Sequence, residues 1–227
     1  MNDLTLLFDF IRRSPSPWHA VKTAAEALEK ADYARLEERE SWTLAPGGKY
    51  YTTREGSSLI AWRQPAAPAA GWRIAAAHSD SPAYRVKGAA VKSGCTMLLT
   101  EGYGGMIRAS WLDRPLGLAG RVLVRTAAGV EARLIAPDRD LAVMPHPAIH
   151  LDRGLNDGHK YDPKADMQAL FAPGDKTADY EALLAAEAGC AVKDILGADI
   201  LLYCRQEGTT AGAEGELILC PRLDDLA

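Results

Sequence analysis

The sequence predicts an α/β fold with a β-rich middle, and three observations carry that reading. Helix-patterned segments open the chain. A compact apolar run, residues 72–77, ends abruptly in a polar turn. Alternating segments joined by a glycine-containing turn fill residues 117–135.

The elements follow in order. The apolar residues of 3–13 suit a short amphipathic helix. Residues 17–30 predict a second helix, opened by Ser16 as N-cap and Pro17 at the first helical position, with Val21, Ala25 and Leu28 on one face. Residues 49–53 and 58–62 are short β-rich runs around Glu55-Gly56, a hairpin signal. Residues 65–71 form an Ala/Pro loop, and 72–77 (Trp-Arg-Ile-Ala-Ala-Ala) read as a buried strand. From about residue 90 the texture changes. Residues 117–125 and 130–135 form a second hairpin through Ala127-Ala128-Gly129, and 152–179 read as polar loop. Residues 180–188 suit a helix, and 198–204 and 216–220 suit strands.

Composition bounds the function. The 227 residues carry 26 basic and 30 acidic side chains, a net charge of −4, which is not the electrostatic footprint of a nucleic-acid binder. No apolar run approaches the ~18 residues needed to span a membrane. Asp3 stands where a signal would have its basic start, Asp9 interrupts the apolar run, and no small-residue cleavage site follows, so the N-terminus does not read as a secretory signal. Cys95, Cys190, Cys204 and Cys220 form no Cys-x-x-Cys pair. Buried thiols in a reducing cytoplasm are the plain expectation.

Four segments could carry chemistry. His78-Ser79-Asp80 follows the apolar run, and a histidine there can bind a metal while a nearby carboxylate orients the ring. On pattern alone a polar turn capping a strand is the commoner meaning. Asp224-Asp225 lies at what reads as a helix opening. A carboxylate there could bridge two metal ions, or simply complement the helix dipole. His146-Pro147-Ala148-Ile149-His150 surrounds His150 with apolar residues. That predicts partial burial, with either a structural role or donation to a developing oxyanion. Tyr103-Gly104-Gly105 fits a tight turn better than a phosphate loop, and nearby Glu101 and Asp113 read as structural or solvated. Neither a Gly-x-Ser-x-Gly elbow nor a His-Glu-x-x-His motif is present.

Taken in order, these segments resemble a known family. The stretches are Ser14-Pro15-Ser16-Pro17-Trp18-His19-Ala20, Ala77-His78-Ser79-Asp80-Ser81-Pro82 and Tyr103-Gly104-Gly105. They continue with Trp111-Leu112-Asp113-Arg114-Pro115-Leu116, Leu118-Ala119-Gly120-Arg121-Val122, Pro147-Ala148-Ile149-His150-Leu151 and Pro221-Arg222-Leu223-Asp224-Asp225-Leu226. Together they resemble the M18 metallo-aminopeptidases, the aspartyl aminopeptidase family, over nearly the whole chain.

The resemblance implies a cytoplasmic enzyme that removes N-terminal residues, often acidic ones, from peptides with a pair of divalent metals, usually zinc. His78 matches a metal ligand, Asp80 the carboxylate that supports it, and Asp224 the metal-bridging aspartate. His150 matches the histidine that a neighbouring subunit extends into the active site. The implied fold is a catalytic α/β domain interrupted by a β-rich dimerisation domain. That sets residues 1–90 as the first catalytic part, 91–219 as the insert and 220–227 as the return. The implied assembly is a homo-oligomer built from dimers, up to a dodecamer, with no nucleic-acid or membrane partner. The family's adjacent glutamates, a further aspartate and a C-terminal histidine have no counterpart here, and Asp225 stands where the family commonly has asparagine. The expectation is therefore the N-terminal half of an aminopeptidase, inactive alone. The alternative is a non-catalytic oligomerisation module or remnant, and a related two-metal deacylase or carboxypeptidase ranks third.

Overall fold

The computed structural model describes residues 3–67 and 71–222. The chain divides into two compact units, Met1–Ser81 and Pro82–Ala227. Each is described by itself.

The first unit opens with helices α1 (Asp3–Arg13) and α2 (Pro17–Lys30). Ser16 caps α2: its hydroxyl accepts from the His19 amide at 3.4 Å, and Pro17 occupies the first turn, where its missing N–H costs nothing. Strands β1 (Ala34–Arg35), β2 (Lys49–Arg54) and β3 (Ser58–Arg63) form a sheet in that order, so β3 is an edge. The β2–β3 turn works because Glu55 and Gly56 both take positive φ (52° and 65°), the twist that matches paired strands. Tyr51, 1% exposed, joins helix to sheet by donating its hydroxyl to Glu29 of α2 at 2.5 Å. Burial and the Glu29 carboxylate push the Tyr51 hydroxyl up to about 12.

The second unit is a six-stranded antiparallel sheet. Its strands are β4 (Ala83–Lys92), β5 (Cys95–Tyr103), β6 (Leu116–Thr126), β7 (Gly129–Ile135), β8 (Ala169–Pro173) and β9 (Ile195–Cys204). They run in the order β7-β6-β9-β4-β5-β8. Its core gathers Leu98, Leu118, Val122, Met144, Met167 and Leu202, all 0% exposed. Burying each such side chain contributes about 1.5–3 kcal/mol. Helix α3 (Thr177–Ala188) adds Tyr180, Leu183, Leu184 and Ala188 to that core and stops at Gly189 in the left-handed region. Burial raises the Tyr180 hydroxyl far above its ordinary value. A short hairpin, β10 (Thr209–Ala211) with β11 (Leu217–Leu219), follows β9.

Two expectations need correction. Residues 72–77 are neither a strand nor buried: Trp72 is 59% and Ile74 87% exposed. The run is apolar enough to be buried, but none of the described residues of its unit covers it. Residues 152–179 are not loop throughout, since β8 closes an edge of the sheet and α3 starts at Thr177. The first two strands of that sheet, β4 and β5, give no clean alternation in the sequence because a bulge between Val86 and Gly88 shifts the pairing. The division between units falls after Ser81, ahead of the texture change near residue 90, because β4 pairs with β5 and β9.

Candidate active site

In the first unit the exposed apolar run leads into a polar turn held at one end. Ser79 Oγ donates to the Ser57 carbonyl at 2.7 Å, which fixes the turn beside the start of β3. On either side of Ser79, His78 Nδ1 and Asp80 Oδ1 stand 3.1 Å apart. The two side chains are 44% and 34% exposed, so the pair remains open to solvent. With Nδ1 turned to Asp80, the ring would hold a metal through Nε2, the arrangement in which a carboxylate fixes a ligating imidazole and raises its basicity. This donor set fits one histidine ligand of a zinc site. Among the described residues, no group of three or more His, Cys, Asp or Glu side chains gathers to hold a metal. Asp224 and Asp225 lie outside the described residues.

In the second unit the loop bearing His150 grows from a braced base. Asp113, at φ 55°, donates its amide to the Met144 carbonyl and accepts the His146 amide on Oδ1, both at 2.9 Å. This confirms the structural role expected of Asp113. His146 Nε2 lies 3.2 Å from the Tyr161 hydroxyl, and Arg108 donates to the Tyr161 carbonyl at 3.0 Å. Beyond that base the chain turns through Ala148–Leu151, with the Leu151 amide donating to the Ala148 carbonyl at 2.8 Å. His150 rides on this turn and is exposed, not partly buried as its apolar flanks predict. Ile149 and Leu151 are themselves 47% and 79% exposed, so they provide no cover. Gly104, at φ 78°, makes the expected tight turn after β5, with its Cα face against Pro82.

A further cluster escaped the sequence. His159 stands between two carboxylates, Asp152 Oδ2 at 3.3 Å from Nδ1 and Asp166 Oδ2 at 3.1 Å from Nε2. Burial works to raise the Asp166 carboxyl, but the Asp162 amide and the His159 ring outweigh it, and the net shift is downward. The ring also meets Tyr161 edge-on at 4.8 Å. The available signal, an Asp and a His and an Asp each seven positions apart, matches no short motif.

The comparisons with known proteins now bear on these residues. The family model "Aminopeptidase I zinc metalloprotease (M18)" matches residues 10–227. The chain belongs to the M18 family. A probable M18 family aminopeptidase 2 of Pseudomonas putida is 40% identical over 232 aligned residues, which cover 98% of this chain and 54% of that protein. The chain thus spans about half the length of the curated relatives it matches, and it corresponds to the N-terminal half of the family. Among solved structures, a chain of an Ape4 and Nbr1 complex superposes with a TM-score of 0.91 at 30% identity, covering 96% of this chain and 47% of that one. A dodecamer of S. cerevisiae mApe1 matches with a TM-score of 0.80 at 25% identity, covering 98% and 53% respectively. The α/β class predicted from the sequence agrees with these neighbours.

Proposed function

We propose that this chain is the N-terminal half of a zinc-dependent aminopeptidase that releases N-terminal, preferentially acidic, residues from peptides. The observation that carries the reading is the His78–Asp80 pair, set 3.1 Å apart in a turn within an M18-matched chain. A divalent metal, when bound, polarises the scissile carbonyl and lowers the pKa of a bound water. His78 would hold that metal and Asp224 would bridge to a second. Asp80 keeps the His78 ring in one tautomer by accepting from Nδ1, which leaves the Nε2 lone pair for the metal. His150, exposed at the tip of a braced turn, would reach a neighbouring subunit's site and donate to the oxyanion of the tetrahedral intermediate. That role needs a homo-oligomer, and the similar mApe1 structure is a dodecamer; the reading adds that the assembly is built from dimers and is cytoplasmic.

The expected result is no chelator-sensitive hydrolysis of an aspartyl chromogenic substrate by the purified chain with zinc supplied. Activity that disappears with chelator would overturn that expectation. The second reading, a non-catalytic oligomerisation module, draws on the second unit's own complete core. It expects a stable dimer with no stoichiometric metal even when the rest of the family's fold is present.

A further inference from the structure

The loop from Pro147 to Asp166 is not held by the core. None of its residues is buried. A cavity of about 320 Å³ is lined by His159 and Tyr161 of the loop and by Met97 of β5. Polar side-chain bonds therefore carry the loop's position, and they fall on either side of the turn that bears His150.

The upstream bonds do not depend on a proton. Asp113 Oδ1 accepts the His146 amide at 2.9 Å, and His146 Nε2 lies 3.2 Å from the Tyr161 hydroxyl. A hydroxyl donates to a neutral imidazole and accepts from a charged one, so this end holds in either protonation state.

The downstream bonds do. Asp152 directly follows the turn, and its Oδ2 lies 3.3 Å from His159 Nδ1. On the other side of the ring, Nε2 lies 3.1 Å from Asp166 Oδ2. Asp166 is a fixed post, since Met167, Gln168 and Ala169 after it are buried. An ionised carboxylate only accepts, and a neutral imidazole carries one N–H. The neutral ring therefore satisfies one aspartate and turns a lone pair towards the other, whereas the ring with two protons donates to both. Burial works against the charge on Asp166, but the Asp162 amide and the His159 ring outweigh it and hold the carboxyl below its ordinary value.

The neighbouring groups offer no substitute for that proton. Tyr161 meets the ring edge-on at 4.8 Å. Arg108 is turned to the Tyr161 carbonyl, and Asp162 Oδ1 accepts the Lys164 amide. Asp152 Oδ1 accepts the Gly154 amide at 3.1 Å, which leaves Oδ2 to the ring. Among the described residues, no lysine or arginine pairs with Asp152 or Asp166.

We propose that His159 is a proton-operated latch on the turn that carries His150. Closing the latch takes up a proton. By linkage, falling pH favours the closed turn, and rising pH releases its downstream end across the range where histidine ordinarily changes charge. The released turn stays tethered at the Asp113–His146 base, and His150 loses its fixed place. The latch stands on the geometry of the second unit. It bears on the oxyanion role proposed for His150 without depending on it.

The test is hydrogen exchange on the full chain at about pH 5.5 and about pH 8.5, which bracket the ordinary histidine range. Protection factors divide out the intrinsic pH dependence of exchange. Protection across residues 148–158 is about fivefold higher at the lower pH, the scale of one partly exposed charged bond. The step follows the titration of the His159 ring, read by nitrogen NMR of the imidazoles. His159→Ala loses the step while its melting temperature stays within a few degrees. His159→Arg, which keeps its charge throughout, shows the same protection at both pH values. His150→Gln, at an exposed position, retains the step. No step in the wild type, a step that survives in His159→Ala, or one that follows His146 or His150 would each overturn the latch. A step at His159 with a pH-independent peptidase in the assembled enzyme sustains it and counts against the proposed role of His150 alone.

Discussion

His78 Nδ1 and Asp80 Oδ1 lie 3.1 Å apart across a single intervening residue, Ser79, whose hydroxyl is tied to the Ser57 carbonyl. The pair is therefore set by a short turn together with that bond to the start of β3. Asp80 is a positioning residue: it accepts from the ring nitrogen that a metal would not use. Asp80→Ala is expected to weaken zinc binding by the assembled enzyme 10–100-fold, the usual cost of losing a carboxylate behind a ligating histidine. His78→Ala should remove that site outright. Competition titration against a chelating dye measures both, and wild-type affinity in Asp80→Ala would show that the pair does not serve a metal.

The second histidine of the first unit behaves differently. His19 Nδ1 lies 2.7 Å from Ser16 Oγ, at the cap of α2. Burial, aided by Lys22, lowers its pKa from 6.5 to about 4. The folded form therefore takes its proton later than the unfolded form as pH falls. Its contribution to stability is complete above pH 6.5 and is lost as pH falls through that value towards 4. The loss is about 1–3 kcal/mol. His19→Gln, which cannot titrate, should flatten that part of the stability curve. Urea denaturation between pH 7 and pH 4, followed by a first-unit probe, checks it. An unchanged slope would place the acid sensitivity elsewhere.

In the second unit one glycine is fixed by crowding. A Cβ on Gly120 of β6 would lie 1.9 Å from the Asp199 carbonyl oxygen and 3.0 Å from Ile200 Cα. Both belong to the backbone of β9, so neither can move without parting β6 from β9. Arg121 and Asp199 add an ion pair at 2.9 Å across the same junction. Gly120→Ala is expected to destabilise the unit by about 3 kcal/mol or more. Gly105→Ala, where an added Cβ meets nothing within 4 Å, should stay within about 0.5 kcal/mol. Thermal melts of the two variants give the comparison.

These positions also mark what a sequence can reveal. Ser16-Pro17 and Glu55-Gly56 were legible because local backbone chemistry decides them: a cap, a fixed φ, two positive φ angles. His78 and Asp80 were legible because only Ser79 separates them and the turn does the rest. β4 and β5 were not, since the bulge at Val86/Gly88 breaks the alternation on which a strand reading depends. The run 72–77 misled for a different reason. Apolar composition states a preference for burial, whereas burial itself requires a neighbour, and none of the described residues of its unit supplies one. His150 misled likewise, because its apolar flanks point outward from a turn. His159 was invisible because its partners come from opposite ends of a loop, joined by turns that no spacing rule encodes.

That loop supplies the last prediction. Asp152 follows the His150 turn and Asp166 leads into β8, so His159 links the far end of the turn to the sheet. An imidazole facing a carboxylate with each nitrogen donates to both when it carries two protons. All three side chains are partly exposed, at 25%, 40% and 32%, so solvent screens the link to about 1 kcal/mol. His159→Ala should therefore leave the unit's melting temperature within a few degrees. It should nonetheless speed hydrogen exchange across residues 148–158 several-fold, because local opening responds to a local bond and not to the core. His159→Arg, whose guanidinium can donate to both carboxylates, should recover part of that protection. If exchange across the turn is unchanged in His159→Ala, the His146–Tyr161 and Asp113–His146 contacts alone hold the loop that carries His150.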